Sequence, residues 1–376
     1  MRRLLRSWLR RFDEPLAPLA EEEIKRRDEL VGRLFNALLG TADLYSVYIG
    51  DRLGLYRALD KGGAATPADL ARRAGIDERY AREWLEQQAV TGILVCEDVA
   101  AEPRRFALPA GHAEALLDRD SASSITPVAL FVPAIGAVMP RLLEAFRSGG
   151  GVAWADYGDD LWQAQGDFNR PLLRNQLAQE ILPQIPDLQA VLERGALVAD
   201  IACGVGWSAI AIARAYPKTR VHGFDLDERA IAQARRNAAE AGLSERATFQ
   251  IKDAAEAPDA GGYDLVTFFE AVHDLSRPVE ALQAARAILK PGGSVLVMDE
   301  NVLETFAAPS NDVERLMYGS SILLCLPNCL AESPSAATGT VMRPATLRRY
   351  AIEAGFREVE ILPIAHDLFR FYRLRP

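Results

Sequence analysis

From Glu21 to about Leu59, apolar residues recur three and four apart, at Leu30, Leu34, Leu38, then Ile49 and Leu53. That spacing puts them on one helical stripe and predicts one or two helices that turn the stripe toward a core. Between 65 and 109 the signals shorten. Thr66-Pro67 sets an N-cap before a proline at the first helical position, and Gly75 closes a helix over Ala68 to Ala74. Asp77 caps a second helix, about Glu78 to Thr91, which Gly92 ends. Ile93-Leu94-Val95 and Arg105-Phe106-Ala107-Leu108 predict paired strands across a polar turn, Glu97 to Glu102. Residues 110–195 read as mixed chain, helical in the main, with a glycine run at Gly149-Gly150-Gly151 and the aromatics Trp154, Tyr157, Trp162 and Phe168.

From 196 the pattern changes to short apolar runs alternating with helical stretches. Strands are predicted at Leu197 to Ile201, Arg220 to Phe224, Ala247 to Ile251, Asp264 to Phe269 and Ser294 to Met298. Helices are predicted at Ser208 to Ala215, Asp227 to Ala241 and Pro278 to Leu289. Strands that read as continuous apolar runs and alternate with helices imply a parallel sheet covered on both faces. No internal repeat or low-complexity tract interrupts the chain.

Length and charge narrow this picture. The 376 residues are comfortable for two domains, and 49% hydrophobic residues can bury a sizeable core. A net charge of −9 argues against nucleic acid as the main partner, because phosphate backbones attract clustered Lys and Arg. Four cysteines, at 96, 203, 325 and 329, make no zinc-like pair of pairs, so no metal is expected, and reduced thiols in a cytoplasmic setting are the default. No apolar stretch of membrane-spanning length is read, which predicts no span. Within Met1 to Phe12, Leu4, Leu5, Trp8, Leu9 and Phe12 share one helical face and five arginines line the rest. This segment reads as a membrane-surface helix or, preferably, as one that docks on the protein or on a second subunit.

The stretch Asp200-Ile-Ala202-Cys-Gly204-Val-Gly206-Trp207 lies between a predicted strand and a predicted helix. Glycine there allows a sharp turn and close approach of backbone to a ligand, and the helix that follows offers unpaired N–H groups. Gly204-Val-Gly206-Trp-Ser-Ala209 also fits a dinucleotide fingerprint, with Asp225 about 20 residues on to hold ribose hydroxyls. Four further features separate the readings. Asp200 lies inside the first strand; Asp253 follows the third; Lys290-Pro291-Gly292-Gly293 ends a helix before the fifth; and two strand candidates close the chain, Glu358 to Pro363 and Phe369 to Leu374.

The whole run resembles the class I S-adenosylmethionine-dependent methyltransferases. The resemblance implies an α/β fold: a Rossmann-like, seven-stranded domain over 195–376 ending in an antiparallel hairpin. Asp200, Ala202, Gly204 and Gly206 would border the methionine and ribose parts of S-adenosyl-L-methionine. Asp225 with Leu226 would take the ribose, and Asp253 with Ala254 the adenine. The helix, turn, helix and hairpin of 65–109 resemble a winged helix, so 21–120 is expected to be a helical, winged-helix dimerisation domain and the protein a homodimer. Residues 121–194 would link the two and cover the site, and 1–20 would be the amphipathic helix.

For the acceptor, Phe268-Phe269-Glu270-Ala271-Val272-His273-Asp274 follows the fourth strand. A histidine titrates near neutral pH and suits deprotonation of a hydroxyl. The pattern is similar to plant-type and bacterial antibiotic-pathway O-methyltransferases, in which the matching histidine is the base; Leu275 stands where that family usually has tryptophan. His273 is therefore the candidate base, Glu270 a candidate for the cofactor edge, and Asp274 a candidate cap for the next helix. Trp154, Tyr157, Met317, Tyr318 and Cys325 would wall a pocket for a small, hydrophobic or aromatic metabolite. Methylation at carbon or nitrogen, and a DNA-binding regulator with a ligand-sensing second domain, are the competing readings. The second predicted helix of the winged segment carries Glu78, Arg79, Arg82, Glu83 and Glu86, a mixed face rather than a basic one.

Overall fold

The computed structural model describes residues 19–256 and 261–376; the arginine-rich segment 1–12 lies outside them. Helix α1, Glu21–Arg52, is followed by α2, Leu55–Gly62. The capping box of Thr66 with Asp69 starts α3, Pro67–Ala74, and the Asp77 carboxylate accepts from two backbone N–H groups at the start of α4, Glu78–Val90. Strands β1, Val95–Cys96, and β2, Phe106–Ala107, pair antiparallel as a short wing. Tyr56 and Trp84 meet edge to face at 5.1 Å in the core of this domain.

One expectation is overturned here. The apolar stripe of α1 does not face a core. Leu34 is 58% and Leu38 62% exposed, and Leu30, Ile49 and Leu53 are exposed too. The buried residues of α1 are Val47, Gly50 and Asp51. The period identified the helix correctly, but periodicity cannot say whether the partner of a stripe is in the same chain.

Helices α5, Ala110–Leu117, and α6, Thr126–Ser148, come next. The expectation that no apolar stretch is long enough to span a membrane is corrected by α6, which passes by length and composition. Its inner face, including Leu130, Ala134, Val138 and Leu142, is buried inside the protein. A single turn at Trp154–Tyr157 leads to α7, Gly158–Phe168, then α8, Arg170–Asn175, and α9, Pro186–Arg194.

The second domain alternates β3, Leu197–Ile201; α10, Trp207–Ala215; β4, Arg220–Asp225; α11, Glu228–Glu240; β5, Ala247–Ile251; and β6, Tyr263–Phe269. It continues with α12, Pro278–Ile288, and β7, Leu289–Glu300. Residues 290–293, read as a turn ahead of the strand, are taken into β7, with a register shift on its neighbour between Tyr263 and Leu265. An insertion holds α13, Asp312–Ser320, a widened π-turn, Ser321–Cys325, and α14, Leu326–Leu330. After α15, Pro344–Glu353, the hairpin of β8, Glu358–Ile361, and β9, Phe369–Arg375, closes the sheet.

The sheet order is β5-β4-β3-β6-β7-β9-β8, parallel through β7 and antiparallel at the terminal hairpin. Consecutive strands step outward from β3 to β5, and the chain then returns to place β6 on the other side of β3. That reversal opens a crevice at the carboxyl ends of β3, β4 and β6, where open sheets of this kind take ligands. Apolar layers cover both faces: Ile210, Ile231, Leu265 and Phe371 on one, Phe268, Leu282, Val297 and Tyr372 on the other. Each such buried side chain contributes about 1.5–3 kcal/mol.

Candidate functional site

The glycine loop is shaped by backbone conformation. Ala202, Gly204 and Gly206 all have positive φ, at 54°, 53° and 81°. For Ala202 this left-handed conformation costs about 1–2 kcal/mol, which the surrounding sheet must offset. A Cβ on Gly206 would lie 2.6 Å from the Phe249 ring, whereas one on Gly204 would meet nothing within 4 Å. The loop is thus tight against the protein at Gly206 and open at Gly204.

Asp200 is 1% exposed, and both of its oxygens are occupied. One accepts from Ser208 at 2.5 Å and the other from Thr267 at 2.7 Å. Burial raises its pKa to about 6. Asp200 therefore ties β3 to α10 and β6 from beneath the loop.

Asp225, at the end of β4, accepts from the Gly204 N–H at 2.8 Å and the Asp227 N–H at 2.9 Å. Each carboxylate oxygen keeps a lone pair, enough for two vicinal hydroxyls. Leu226 beside it is exposed. Asp253 accepts from the Ala255 N–H at 2.8 Å and pairs with Arg277 at 2.5 Å. Ala254 packs at the edge of the core. An open glycine loop with acids at the ends of β4 and β5 fits the ribose and adenine of S-adenosylmethionine.

On the other side of the crevice, Glu270 follows β6 with φ +54°. Its backbone N–H donates to the Met298 carbonyl at 2.7 Å, and its carboxylate accepts from Asn169 and, at 3.4 Å, from Gln165. Burial pushes its pKa up to about 7. His273 is 4% exposed, in the turn Val272–Asp274. Its Nδ1 lies 2.8 Å from an Asp299 oxygen, so Nδ1 carries the proton and Nε2 is the basic nitrogen. Burial alone would lower the proton affinity of the ring, but the charge and hydrogen bond of Asp299 raise its pKa well above the usual value. The Cys329 thiol donates to the His273 carbonyl at 3.4 Å. Asp274 does not cap the next helix: Arg277 occupies that position without a side-chain bond, and Asp274 stands beside His273 and Cys325.

The wall residues divide. Tyr157 is buried and donates to the Leu323 carbonyl at 2.8 Å. It shares an apolar cluster with Leu324, Cys325 and the half-buried Trp154. Burial lifts the Cys325 thiol to about 12. Met317 is buried in α13. Tyr318 is not part of this wall: it is 38% exposed and packs on Phe306, its hydroxyl 3.2 Å from Arg343. The sequence reading missed Asn169, Gln165, Arg277 and Asp299. Of these, Asp299 had a signal, an acid at the carboxyl end of the buried run Val295-Leu-Val-Met298.

The chain is similar to known methyltransferases. A profile described as a methyltransferase domain matches residues 198–293, and one described as an Rv2258c-like winged HTH domain matches 43–119. The chain is 28% identical over 169 residues to 27-O-demethylrifamycin SV methyltransferase of Amycolatopsis mediterranei, covering 44% of this chain and 61% of that enzyme. It is 30% identical over 175 residues to the ubiquinone biosynthesis O-methyltransferase of Aromatoleum aromaticum, covering 46% of this chain and 69% of that enzyme. In fold it is similar to human N-acetylserotonin methyltransferase in complex with SAM, at 18% identity and a TM-score of 0.66, over 92% of this chain and 97% of that one.

Proposed function

Because the chain belongs to the class I S-adenosylmethionine-dependent methyltransferases and carries a winged-helix domain ahead of the sheet, we propose that it methylates a hydroxyl of a small, hydrophobic or aromatic metabolite with His273 as general base. The observation that carries the reading is the His273–Asp299 pair at 2.8 Å, at the carboxyl end of the sheet across the crevice from the glycine loop. When bound, the cofactor supplies an already activated methyl group, so the protein mainly positions the acceptor and removes its proton.

Gly204 and Gly206 bring the backbone to the cofactor, and Asp225 and Asp253 fix its ribose and adenine ends. Asp299 holds the His273 ring with Nε2 toward the acceptor and stabilises the imidazolium that forms as the hydroxyl proton arrives. Asp299 also favours a protonated ring at rest. The positive charge of the cofactor, when bound, would oppose that. Tyr157, Trp154 and Cys325 supply an apolar wall that keeps water from the acceptor. The test is His273→Ala: turnover falls while binding of S-adenosylmethionine, measured by calorimetry, persists. Unchanged turnover sinks the base assignment.

We place the dimer contact on the exposed stripe of α1. Leu30, Leu34 and Leu38 form an apolar face that a second copy would cover. A reducing, cytoplasmic setting suits four free cysteines. The charges on α4 are largely neutralised within the fold, Arg79 by Glu83 and Glu86 by Arg104 at 3.0 Å, which leaves little to attract phosphate. Leu34→Glu with Leu38→Glu would convert the dimer to a monomer in sedimentation; a wild-type chain that sediments as a monomer at every concentration removes this assignment.

A further inference from the structure

We propose that His273, Asp274 and Cys325 form a binding site for a divalent cation of the zinc class inside the acceptor pocket. One donor atom from each residue lies within 4.8 Å of the other two. With bonds of about 2.0–2.3 Å, a tetrahedral zinc needs its ligand atoms about 3.3–3.8 Å apart, so a contraction of about 1 Å closes the site. Nitrogen, sulfur and carboxylate oxygen are the donors zinc takes, and the sulfur discriminates against magnesium and calcium.

The support around these donors is already built. Asp299 engages His273 at Nδ1 and so presents Nε2, the carboxylate–histidine arrangement that orients an imidazole toward a metal. Cys325 sits in the π-turn Ser321–Cys325, whose wider winding separates it from its α-helical neighbours. One buried oxygen points to a missing ligand: Asp274 Oδ1 has no hydrogen-bond partner.

Three protein ligands leave a fourth tetrahedral position for water or an acceptor atom. Metal and proton would then compete for His273 Nε2, so occupancy silences the base. That consequence rests on His273 being the base; the binding does not.

The test is a titration of the full-length, metal-free protein with Co2+, read as the sulfur-to-cobalt charge-transfer absorption. One equivalent per chain is expected to give the band, and Zn2+ to displace it. Cys325→Ser abolishes the band, Asp274→Asn weakens binding at least about tenfold, and Asp299→Asn weakens it about 10–100-fold. Cys96→Ser, in the wing, leaves it unchanged. Circular dichroism establishes that each variant is folded, and Asp274→Asn carries the test if Cys325→Ser is not. No band, or a band that survives Cys325→Ser, overturns the proposal. A band with methyl transfer undiminished at saturating Zn2+ keeps the site and refutes the base assignment instead.

Discussion

The two sides of the crevice are made differently. The cofactor side is built from backbone: one loop of five residues, 202–206, with three positive φ values, and acids set one at the end of each successive strand. The acceptor side is built from side chains far apart in sequence. His273, Asp299 and Cys325 come from a turn, a strand end and a π-turn that meet only in the folded chain. A backbone-built site tolerates many side chains but not a change of conformation. A side-chain-built site keeps its shape under substitution and loses its chemistry.

Substitutions on each side test that contrast, beginning with the largest expected effect. His273→Ala should lower kcat by about 10²–10⁴ while the Kd for S-adenosylmethionine stays within a few-fold. A matched loss of cofactor binding would mean that the two sides are not separable. Gly206→Ala should cost about 2–4 kcal/mol of stability, because its φ is +81° and its new Cβ would press on Phe249 from 2.6 Å. Denaturant unfolding measures this, and a wild-type midpoint would show that the loop is less constrained than its geometry indicates. Asp225→Ala should weaken cofactor binding by about 10–100-fold, the loss of charge-assisted hydrogen bonds of about 1.5–3 kcal/mol, with the fold retained.

The smallest effect is one of pH. Burial raises Glu270 in the folded state to about 7, above its unfolded value near 4.5. Its protonated form therefore contributes stability that is fully present below about pH 4.5 and is lost as the pH rises through about 7. Glu270→Gln should remove that loss. The Tm difference between variant and wild type should grow between pH 5 and 8, and a difference independent of pH would mean that Glu270 is already ionised.

The same contrast explains what was legible in the sequence. The order Leu197–Ile201, glycine loop, Asp225, Asp253 could be read because each feature is local and its spacing is fixed by one strand or one turn. The strands and helices of the sheet came out within a few residues for the same reason. Asp200 belonged to this readable set, but its bonds to Ser208 and Thr267 form only once β3, α10 and β6 are packed. His273 was visible as a residue type after a strand, but Asp299, 26 residues on, was visible only as an acid in an apolar run. Tyr318 and Cys325 both belong to the apolar run of the insertion, and the sequence treated them alike. The π-turn separates them, turning Cys325 inward and leaving Tyr318 outside. The stripe of α1 was read as facing a core because periodicity reports an apolar face and not its partner.

Helix α7 touches three parts of the molecule at once. Asp160 holds Tyr48 and Arg52 of α1, and Asp159 holds Arg229 at the start of α11. Gln165, and Asn169 just past its end, reach Glu270. The helix is therefore a strut between the exposed apolar stripe and the crevice. A partner seated on α1 would press, through one helix, on the edge of the site, where a displacement of about 1 Å can change rate by about 10²-fold. If a second copy covers α1, assembly and turnover would share a mechanical linkage, with Asp160 as its joint.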